Sequence, residues 1–331
     1  MQGTYRLPAE WEPQSCVQLT WPHKGTDWAP MLAEVTATYR QMAREISLRE
    51  PLLIVAPEGG APGMVHVVCP TNDTWARDHA FITLVGEGQP PMLLDFKFNG
   101  WGEKFPADLD NAINRRLYDV GAVRGEYKDH LDFVLEGGSI ESDGKGTVMT
   151  TSQCLLAPHR NQPLTRQEIE QRLKDCLGAH RVLWIDHGQL TGDDTDGHID
   201  TLVRFCPDDT ILYVSCGDPN DEQYDELRHA ADDADGRGSH GLHGELVQRR
   251  GGNQQPSVQP RSSGCHHDLL CGQCEHGDGL PQRGGSDDRH HQAGAGKSYG
   301  ERGLHVLSGP QRDHECDAVG HDRHGSGLPL V

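Results

Sequence analysis

The last third of the sequence lacks nearly all of the residues that build a protein core. From Asp225 to Val331 it contains no Phe, Ile, Met or Trp, one Tyr and one Lys, while His, Gly, Arg and Gln accumulate. A segment so poor in apolar side chains cannot bury enough surface to offset its conformational entropy. The sequence therefore predicts a folded domain at residues 1–224 and an aberrant tail at residues 225–331, and function has to be sought in the first region.

The composition of the tail favours a shifted reading frame. Disordered segments usually favour Glu, Lys, Ser and Pro, whereas this one mixes Cys, His, Arg and Gly without a repeat or a charge pattern. We place the frame change between Leu227 and Gln248. Reading Leu269 to Cys274 one base later permits the apolar segment Phe-Tyr-Val-Ala-Asn, and the same offset permits a cysteine near Leu328.

Two other interpretations of the tail stay open, a disordered His-rich appendage and a zinc-binding module. The candidate zinc ligands are Cys265, His266, His267, Cys271, Cys274 and His276. Cys271 and Cys274 have the C-x-x-C spacing of a zinc site. Their flanks, however, supply no helix, strand or apolar support for such a module.

The sequence also lacks an apolar run long enough to span a bilayer, and its first residues lack the basic and apolar parts of a signal peptide. The 331-residue chain carries a formal net charge of −20, which disfavours nucleic acid and anionic membranes and is compatible with a cationic substrate. We therefore expect a cytoplasmic protein without nucleic-acid or membrane partners, either monomeric or homo-oligomeric, that acts on a small cationic molecule.

Six cysteines precede the tail at spacings that follow no known pattern. They are Cys16, Cys69, Cys154, Cys176, Cys206 and Cys216. Their apolar contexts predict reduced, buried thiols rather than a disulfide framework.

Short β-like runs alternate with helices in the first region, which predicts a mixed α/β chain. Apolar residues from Leu32 to Ile46 recur at three- and four-residue steps and predict a helix before Pro51. Thr165 and Glu168 have capping-box spacing and predict a second helix that ends at Gly178. Buried strands are predicted at Leu52 to Ala56, Val65 to Cys69, Ala80 to Val85, Pro91 to Phe96, Thr147 to Thr151, Arg181 to Ile185, Thr201 to Phe205 and Thr210 to Cys216.

The first chemically suggestive segment, Asn72 to Asp78, crowds two carboxylates, an arginine and a tryptophan between two predicted strands. A solvated turn with a local pair between Arg77 and a carboxylate is one interpretation. Trp75 favours a binding role, because a flat apolar ring beside carboxylates suits a delocalised cation.

The second segment, Leu135 to Ile140, places Glu136 at the end of a largely apolar run and follows it with Gly137 and Gly138. Paired glycines allow the backbone to turn sharply beneath a bound ligand. They are also ordinary turn residues, so an unremarkable loop is the alternative.

The third segment, Gly192 to Asp200, carries four carboxylates and a histidine. If His198 and Asp200 begin the next strand, its period of two puts both side chains on one face, with Ile199 on the other. The alternatives are a Ca²⁺ loop, a metal site on His198 and a solvated acidic turn. The spacing is not that of an EF-hand, and His-x-Asp offers too few ligands for zinc, so we predict no metal here.

Five motifs between about Leu7 and Asp218 together resemble the agmatine deiminase family, which includes the Porphyromonas-type peptidylarginine deiminases within the wider guanidine-modifying group. The motifs are Pro8 to Pro13 with Thr20 to His23, Asn72 to Asp78, Phe98 to Gly102, Leu135 to Asp143 and Gly192 to Phe205. The resemblance implies an α/β propeller of five ββαβ-type units, of which the last would not be encoded correctly here.

The resemblance also implies roles for individual residues. Asp78 and Asp200 would clamp the guanidinium nitrogens, with Glu136 beside them, and His198 would shuttle protons. Trp75 would line the pocket, and Trp101 and Asp194 would contact the substrate further along. No metal or organic cofactor is implied.

The nucleophile would be a cysteine thiolate in a Gly-rich segment near the C-terminus, and the printed frame shows no such segment. The position of this cysteine stays unknown, because none of the tail cysteines has a matching context. Those cysteines are Cys265, Cys271, Cys274 and Cys316.

The expected reaction is hydrolysis of agmatine to N-carbamoylputrescine and ammonia, a step of polyamine metabolism. Peptidylarginine deimination is the nearest rival, disfavoured by the missing export signal. A catalytically dead relative, a misfolded product and a metal-binding protein are the alternatives from other classes. A propeller that loses its last units should also expose strand edges.

Overall fold

The computed structural model describes residues 5–61, 63–64 and 66–234 and the backbone of Arg302–Ser308, all of which belong to one compact unit. Its helices are α1 Leu32–Ser47, α2 Ala76–His79, α3 Gly100–Glu103, α4 Ile113–Asp119, α5 Ser152–Leu155, α6 Arg166–Leu177 and α7 Tyr224–Ala234. Its strands are β1 Val17–Thr20, β2 Leu52–Ala56, β3 Val67–Val68, β4 Ile82–Leu84, β5 Met92–Lys97, β6 Glu126–Val134, β7 Ile140–Ser142, β8 Thr147–Thr151, β9 Arg181–Ile185, β10 Val203–Cys206, β11 Thr210–Cys216 and β12 Arg302–Ser308.

The described strands form four separate sheets of three strands, each in chain order. In the second and third sheets the first two strands are antiparallel, and the third runs parallel to the second. A parallel neighbour needs a crossover connection, and α4 and α6 lie in the two crossovers. The mixed α/β class is thereby confirmed, whereas the propeller of five units remains a prediction.

The fourth sheet departs from the pattern of the two before it. Strand β10 pairs antiparallel with β11, and helix α7 follows, as the repeat requires. The third strand, β12, then pairs antiparallel with β11 instead of parallel. Strand β12 belongs to the tail, so the sheet loses its repeated strand direction in the region where the composition is also altered.

Apolar side chains from neighbouring sheets share cores. The largest cluster joins the second and third sheets with α6, and includes Phe96, Phe133 and Leu173. Another cluster joins β9 and β10 with α7, where Leu227 and Ala230 are buried. Helix α7 therefore extends the packed structure past residue 224, the predicted boundary, to Ala234.

Most predicted elements agree closely with the structure. Strands β2, β8, β9 and β11 have the predicted bounds, and β4 and β3 are shorter than predicted, with Val65 outside the described residues. The six cysteines before the tail are free thiols, but the prediction that they are buried holds only for Cys69 and Cys154. Cys16 is exposed, and the other three are half-buried, namely Cys176, Cys206 and Cys216. The candidate zinc ligands and all four cysteines of the tail lie outside the described residues.

Among the described residues, no helix has both the length and the apolar character needed to cross a membrane.

The capping box of α6 is present as predicted and supplies a stability test. The Thr165 hydroxyl accepts the Glu168 backbone N–H at 3.3 Å, and the Glu168 carboxylate accepts the Thr165 backbone N–H at 2.8 Å. We expect Thr165→Ala to lower the free energy of unfolding by about 1 kcal/mol, because the cap acceptor is lost. Thr38→Ala, at an exposed position inside α1, is the control and should not lower the free energy of unfolding, since alanine is the better helix former by up to about 0.7 kcal/mol. If urea denaturation gave the same free energy of unfolding for Thr165→Ala and Thr38→Ala, the stabilising role of the α6 cap would be contradicted.

Candidate active site

The loop that presents Asp78 is held by a second acid. The buried carboxylate of Asp110 accepts the backbone N–H groups of Asn72 at 2.7 Å and Asp73 at 3.0 Å. The Asn72 side-chain oxygen in return accepts the N–H of Leu109 at 2.8 Å. Burial raises the pKa of Asp110 to about 7, although these N–H donors favour its charged form. The loop is thus fixed by reciprocal hydrogen bonds before the short helix α2 begins.

Asp78 lies beside a cluster of three aromatic side chains, Trp28, Trp75 and Trp101. The ring centroids of Trp28 and Trp75 are 5.9 Å apart, and those of Trp75 and Trp101 are 6.0 Å apart. Trp101 is buried, and its indole N–H donates to Asp78 Oδ2 at 3.0 Å. Trp75 is 44% exposed. The Trp75 ring is therefore accessible to solvent, whereas Trp101 is a buried hydrogen-bond donor to Asp78.

Glu136, another buried acid of the site, is paired with an arginine. Its side chain and that of Arg160 are both fully buried, and Arg160 Nε donates to Glu136 Oε1 at 2.9 Å. Arg160 also donates to Asp196 Oδ2 at 2.7 Å and to the Thr195 carbonyl at 2.9 Å. The Arg160 guanidinium thus connects Glu136, which follows β6, to the loop that precedes His198.

His198 and Asp200 do not begin the strand that the sequence predicts from Thr201. His198 instead precedes a 3-10 turn, Ile199–Thr201, and β10 starts only at Val203. The reason lies just before it, where Asp196 and Gly197 have φ values of 66° and 80° and redirect the chain. Ile199 is nevertheless fully buried in the apolar core. Its side chain therefore points away from those of its polar neighbours, His198 and Asp200, as predicted.

Three of the predicted residues converge on Gly138. A Cβ atom placed on Gly138 would lie 2.6 Å from His198 Nδ1 and 2.8 Å from both Asp78 Oδ1 and Asp200 Oδ2. Real Cβ atoms essentially never come that close to other heavy atoms. The Gly138 N–H also donates to Asp78 Oδ1 at 3.0 Å. Glycine at this position is therefore what allows the two acids and the histidine to meet.

The charges of the cluster are coupled. His198 is 3% exposed, with Nδ1 3.6 Å from Asp78 Oδ1 and Nε2 3.6 Å from Glu136 Oε2. Burial opposes a charged imidazole, but contacts with Cys154 and the two acids outweigh it and raise the pKa of His198 well above its ordinary value. Burial also raises the pKa of Asp78, although His198, the Gly138 N–H and Trp101 favour its anion. Proton affinity is thus high at both groups.

An outer ion network borders the cluster. Arg77 Nη1 lies 2.8 Å from Glu10 Oε1, and Arg77 Nε lies 3.8 Å from Asp200 Oδ2. Arg204 approaches the other oxygen of Glu10 at 3.7 Å, so Glu10 bridges two arginines. The contacts of Arg77 are therefore with acids far away in sequence, not with the neighbouring carboxylates that the alternative of a solvated turn would use.

Asp194 lies at the rim of the site. Its residue is exposed, and its carbonyl oxygen accepts a hydrogen bond from Lys104 Nζ at 2.7 Å. The same ammonium lies 2.7 Å from Asp196 Oδ1. Among the described contacts, none joins the Asp194 carboxylate to the buried acids.

Sequence reasoning missed two members of the cluster, Arg160 and Cys154. Cys154 is fully buried, and its thiol donates to Glu136 Oε2 at 3.7 Å. Arg160 and Cys154 contact residues 18 to 36 positions away, so no local pattern marks them. The available signal was slight, because Arg160 stands in the polar run His159 to Gln162, directly after the apolar run Leu155 to Pro158.

The arrangement suits a planar cation at its open side. Asp78 and Asp200 present carboxylate oxygens at one point, and the Trp75 ring can cover a delocalised charge there. His198, in contact with Asp78, can deliver or accept a proton at that point. Glu136, Cys154 and His198 also hold donor atoms within 4.8 Å of one another, as a metal site would.

The chain is similar to several known proteins. A family model described as Porphyromonas-type peptidyl-arginine deiminase matches residues 6–240. Agmatine deiminase of Pseudomonas aeruginosa is 32% identical over 234 residues, which cover 66% of this chain and 63% of that protein. The chain spans about two thirds of the length of the curated relatives it matches.

Solved structures give the same picture. A cysteine-to-serine variant of C. jejuni agmatine deiminase with substrate bound has a TM-score of 0.64 at 34% identity, covering 74% of this chain and 76% of its own. Agmatine deiminase of Enterococcus faecalis has a TM-score of 0.63 at 30% identity, covering 70% and 66%.

Proposed function

Because the chain belongs to the Porphyromonas-type peptidyl-arginine deiminase family, we propose that its gene derives from an agmatine deiminase, which hydrolyses agmatine to N-carbamoylputrescine and ammonia. The observation that carries this proposal is the convergence of Asp78, Asp200 and His198 on Gly138, with Glu136 behind them. Curated relatives that cover most of the described residues are named agmatine deiminases, which supports agmatine over a peptide substrate.

Binding of the guanidinium falls to the two acids that meet at Gly138. Asp78 has both carboxylate oxygens fixed, one by the Gly138 N–H and one by Trp101, so it meets the cation without reorganising. Asp200 is partly exposed and closes the clamp from the solvent side. Trp75 covers the π-face of the cation.

His198 supplies the proton transfers. A cysteine thiolate attacks the guanidinium carbon, and the C–N bond to the departing nitrogen breaks as His198 gives that nitrogen a proton, leaving a thiouronium and ammonia. Water then attacks the same carbon and gives one proton to His198, and the C–S bond breaks to release the ureido product and the thiolate. The second proton leaves with ammonia as ammonium. Glu136 stabilises the imidazolium before His198 donates its proton and again after it accepts one from water.

The printed chain itself is proposed to be inactive. Cys154 is a poor nucleophile, because it is fully buried, burial raises the pKa of its thiol, and it lies on the Nε2 side of His198, away from Asp78. The family match ends at residue 240, inside the interval predicted for the frame change. The antiparallel direction of β12 also supports an altered tail.

Binding and catalysis should therefore separate in this protein. A C. jejuni agmatine deiminase with a cysteine replaced by serine holds its substrate, which supports binding without a nucleophile. We expect calorimetry to show saturable agmatine binding, with a dissociation constant in the ordinary substrate range of about 1 μM to 1 mM. Ammonia release should stay at the uncatalysed background.

Three outcomes would contradict parts of the proposal. Absence of agmatine binding to folded protein would contradict the guanidinium clamp, and tighter binding of an arginyl peptide would favour peptidylarginine as the substrate. Ammonia release would contradict the inactive chain. Resequencing codons 220 to 331 gives the independent check, because we expect a one-base change that restores a Gly-rich C-terminal segment with a cysteine.

A further inference from the structure

Three donor atoms of different chemistry face one another behind the guanidinium clamp. Glu136 Oε2 lies 3.6 Å from His198 Nε2 and 3.7 Å from Cys154 Sγ. All three side chains are buried, and their donor atoms lie within 4.8 Å of one another. Thiolate, imidazole and carboxylate are the three ligand types that zinc takes in proteins.

One of these atoms has no hydrogen-bond partner. Nε2 of His198 is buried and makes no hydrogen bond within the described part of the chain, while Nδ1 of the same ring faces Asp78 Oδ1. A buried polar atom left unsatisfied costs free energy. The atom points toward Glu136 and Cys154, where a bound cation would satisfy it.

Two of the three separations are close to those of a tetrahedral zinc site, and the third, between Cys154 Sγ and the His198 ring nitrogen, is at most 4.8 Å. Zinc binds sulfur at about 2.3 Å, nitrogen at about 2.0–2.1 Å and carboxylate oxygen at about 2.0–2.2 Å, so tetrahedral neighbours lie roughly 3.4–3.6 Å apart. The measured 3.6 and 3.7 Å need adjustments of a few tenths of an ångström.

The residues around the three donors resemble the surroundings of known zinc ligands. A zinc-bound histidine usually directs its other ring nitrogen at a carboxylate, and ligating carboxylates are themselves hydrogen-bonded. Here Nδ1 of His198 lies 3.6 Å from Asp78 Oδ1, and Glu136 Oε1 accepts from Arg160 at 2.9 Å. Both ligands are therefore oriented by partners on the atoms that zinc would leave free.

From this geometry we propose that Cys154, His198 and Glu136 form a binding site for a thiophilic divalent cation, with Zn²⁺ as the expected ion. Binding breaks the S–H bond of Cys154 and any N–H bond at Nε2 of His198, forms Zn–S, Zn–N and Zn–O bonds, and releases the protons to solvent. Because zinc would occupy the imidazole, the ion and proton shuttling by His198 exclude each other. The site does not depend on the proposed reaction, since the donor set exists without a substrate.

Cobalt spectroscopy of the full-length chain, without an affinity tag, tests the site. Thiols of the tail are first removed by replacing Cys265, Cys271, Cys274 and Cys316 with Ser, so that a thiolate-to-cobalt charge-transfer band reports on cysteines before residue 225. We expect one equivalent of Co²⁺ to bind with such a band, and Zn²⁺ to abolish the band by competition. Cys154→Ser should remove the band and weaken Zn²⁺ binding at least 10-fold.

Cys176→Ser is the matched control, because Cys176 is half-buried and faces another histidine, with Sγ 3.7 Å from His130 Nδ1. It should leave the band and the affinity unchanged. His198→Gln is the second test if Cys154→Ser fails to fold, and should weaken Zn²⁺ binding at least 10-fold while leaving a folded circular-dichroism spectrum. No thiolate band in the four-Ser background, or a band that survives Cys154→Ser, would overturn the proposal and leave Cys154 as a hydrogen-bonded core thiol.

Discussion

Replacement of Arg160 by methionine is expected to lower the free energy of unfolding by about 3–5 kcal/mol. Arg160 is fully buried and satisfies Glu136, Asp196 and the Thr195 carbonyl at once. Methionine fills similar space but leaves the buried Glu136 carboxylate without its counter-charge. Urea denaturation of wild-type and variant protein measures the difference.

Two further variants test whether charge is the cause. Arg49→Met removes an exposed arginine paired with Glu45, and should cost about 0.5 kcal/mol or less. Combining Arg160→Met with Glu136→Gln removes both buried charges and should recover part of the lost stability. An Arg160→Met loss no larger than that of Arg49→Met would show that the pair does not hold the site together.

Gly138→Ala is expected to weaken agmatine binding about 10- to 100-fold, because the displaced clamp loses hydrogen bonds to a charged group that are worth about 1.5–3 kcal/mol. The added methyl would meet His198, Asp78 and Asp200 at 2.6–2.8 Å, so all three must move. Calorimetric titration with agmatine measures the change, and circular dichroism confirms that the variant is folded.

The control for this variant is another glycine. Gly217→Ala adds the same atom where nothing lies within 4 Å, and neither glycine has a positive φ, so the two differ in steric surroundings rather than backbone strain. Binding should be unchanged in Gly217→Ala. If Gly138→Ala binds agmatine as tightly as the control does, the substrate does not occupy the point where the three side chains meet.

Local sequence patterns predicted the regular elements better than their arrangement. Strands β8, β9 and β11 are apolar runs bounded by Gly, Asp or Asn turns, and α6 has its cap and its glycine stop. Strand directions and sheet membership depend on long-range pairing, which periodicity does not encode. The four-sheet arrangement was therefore not accessible from spacing.

Some residues of the candidate site could likewise be found from local sequence, and others only from the fold. Asp78, Glu136 and His198 were found because each stands in a segment of unusual local composition, and the resemblance of those segments to one family joined them. Whether they act on a guanidinium remains a prediction. Arg160 and Cys154 stand in ordinary local contexts and become visible only when the fold places them against Glu136. His198 does not lie on a strand, because the chain is redirected at Asp196 and Gly197, whose positive φ angles have no signature in hydrophobic periodicity.

The bridge made by Glu10 between Arg77 and Arg204 has a consequence during protein synthesis. Glu10 leaves the ribosome about 200 residues ahead of Arg204, an interval of roughly 10–40 s at ordinary elongation rates. Until then Glu10 can hold only one of the two arginines that flank it in the finished structure. The N-terminal segment therefore reaches its final contacts late, after three sheets have been translated and before the altered tail emerges.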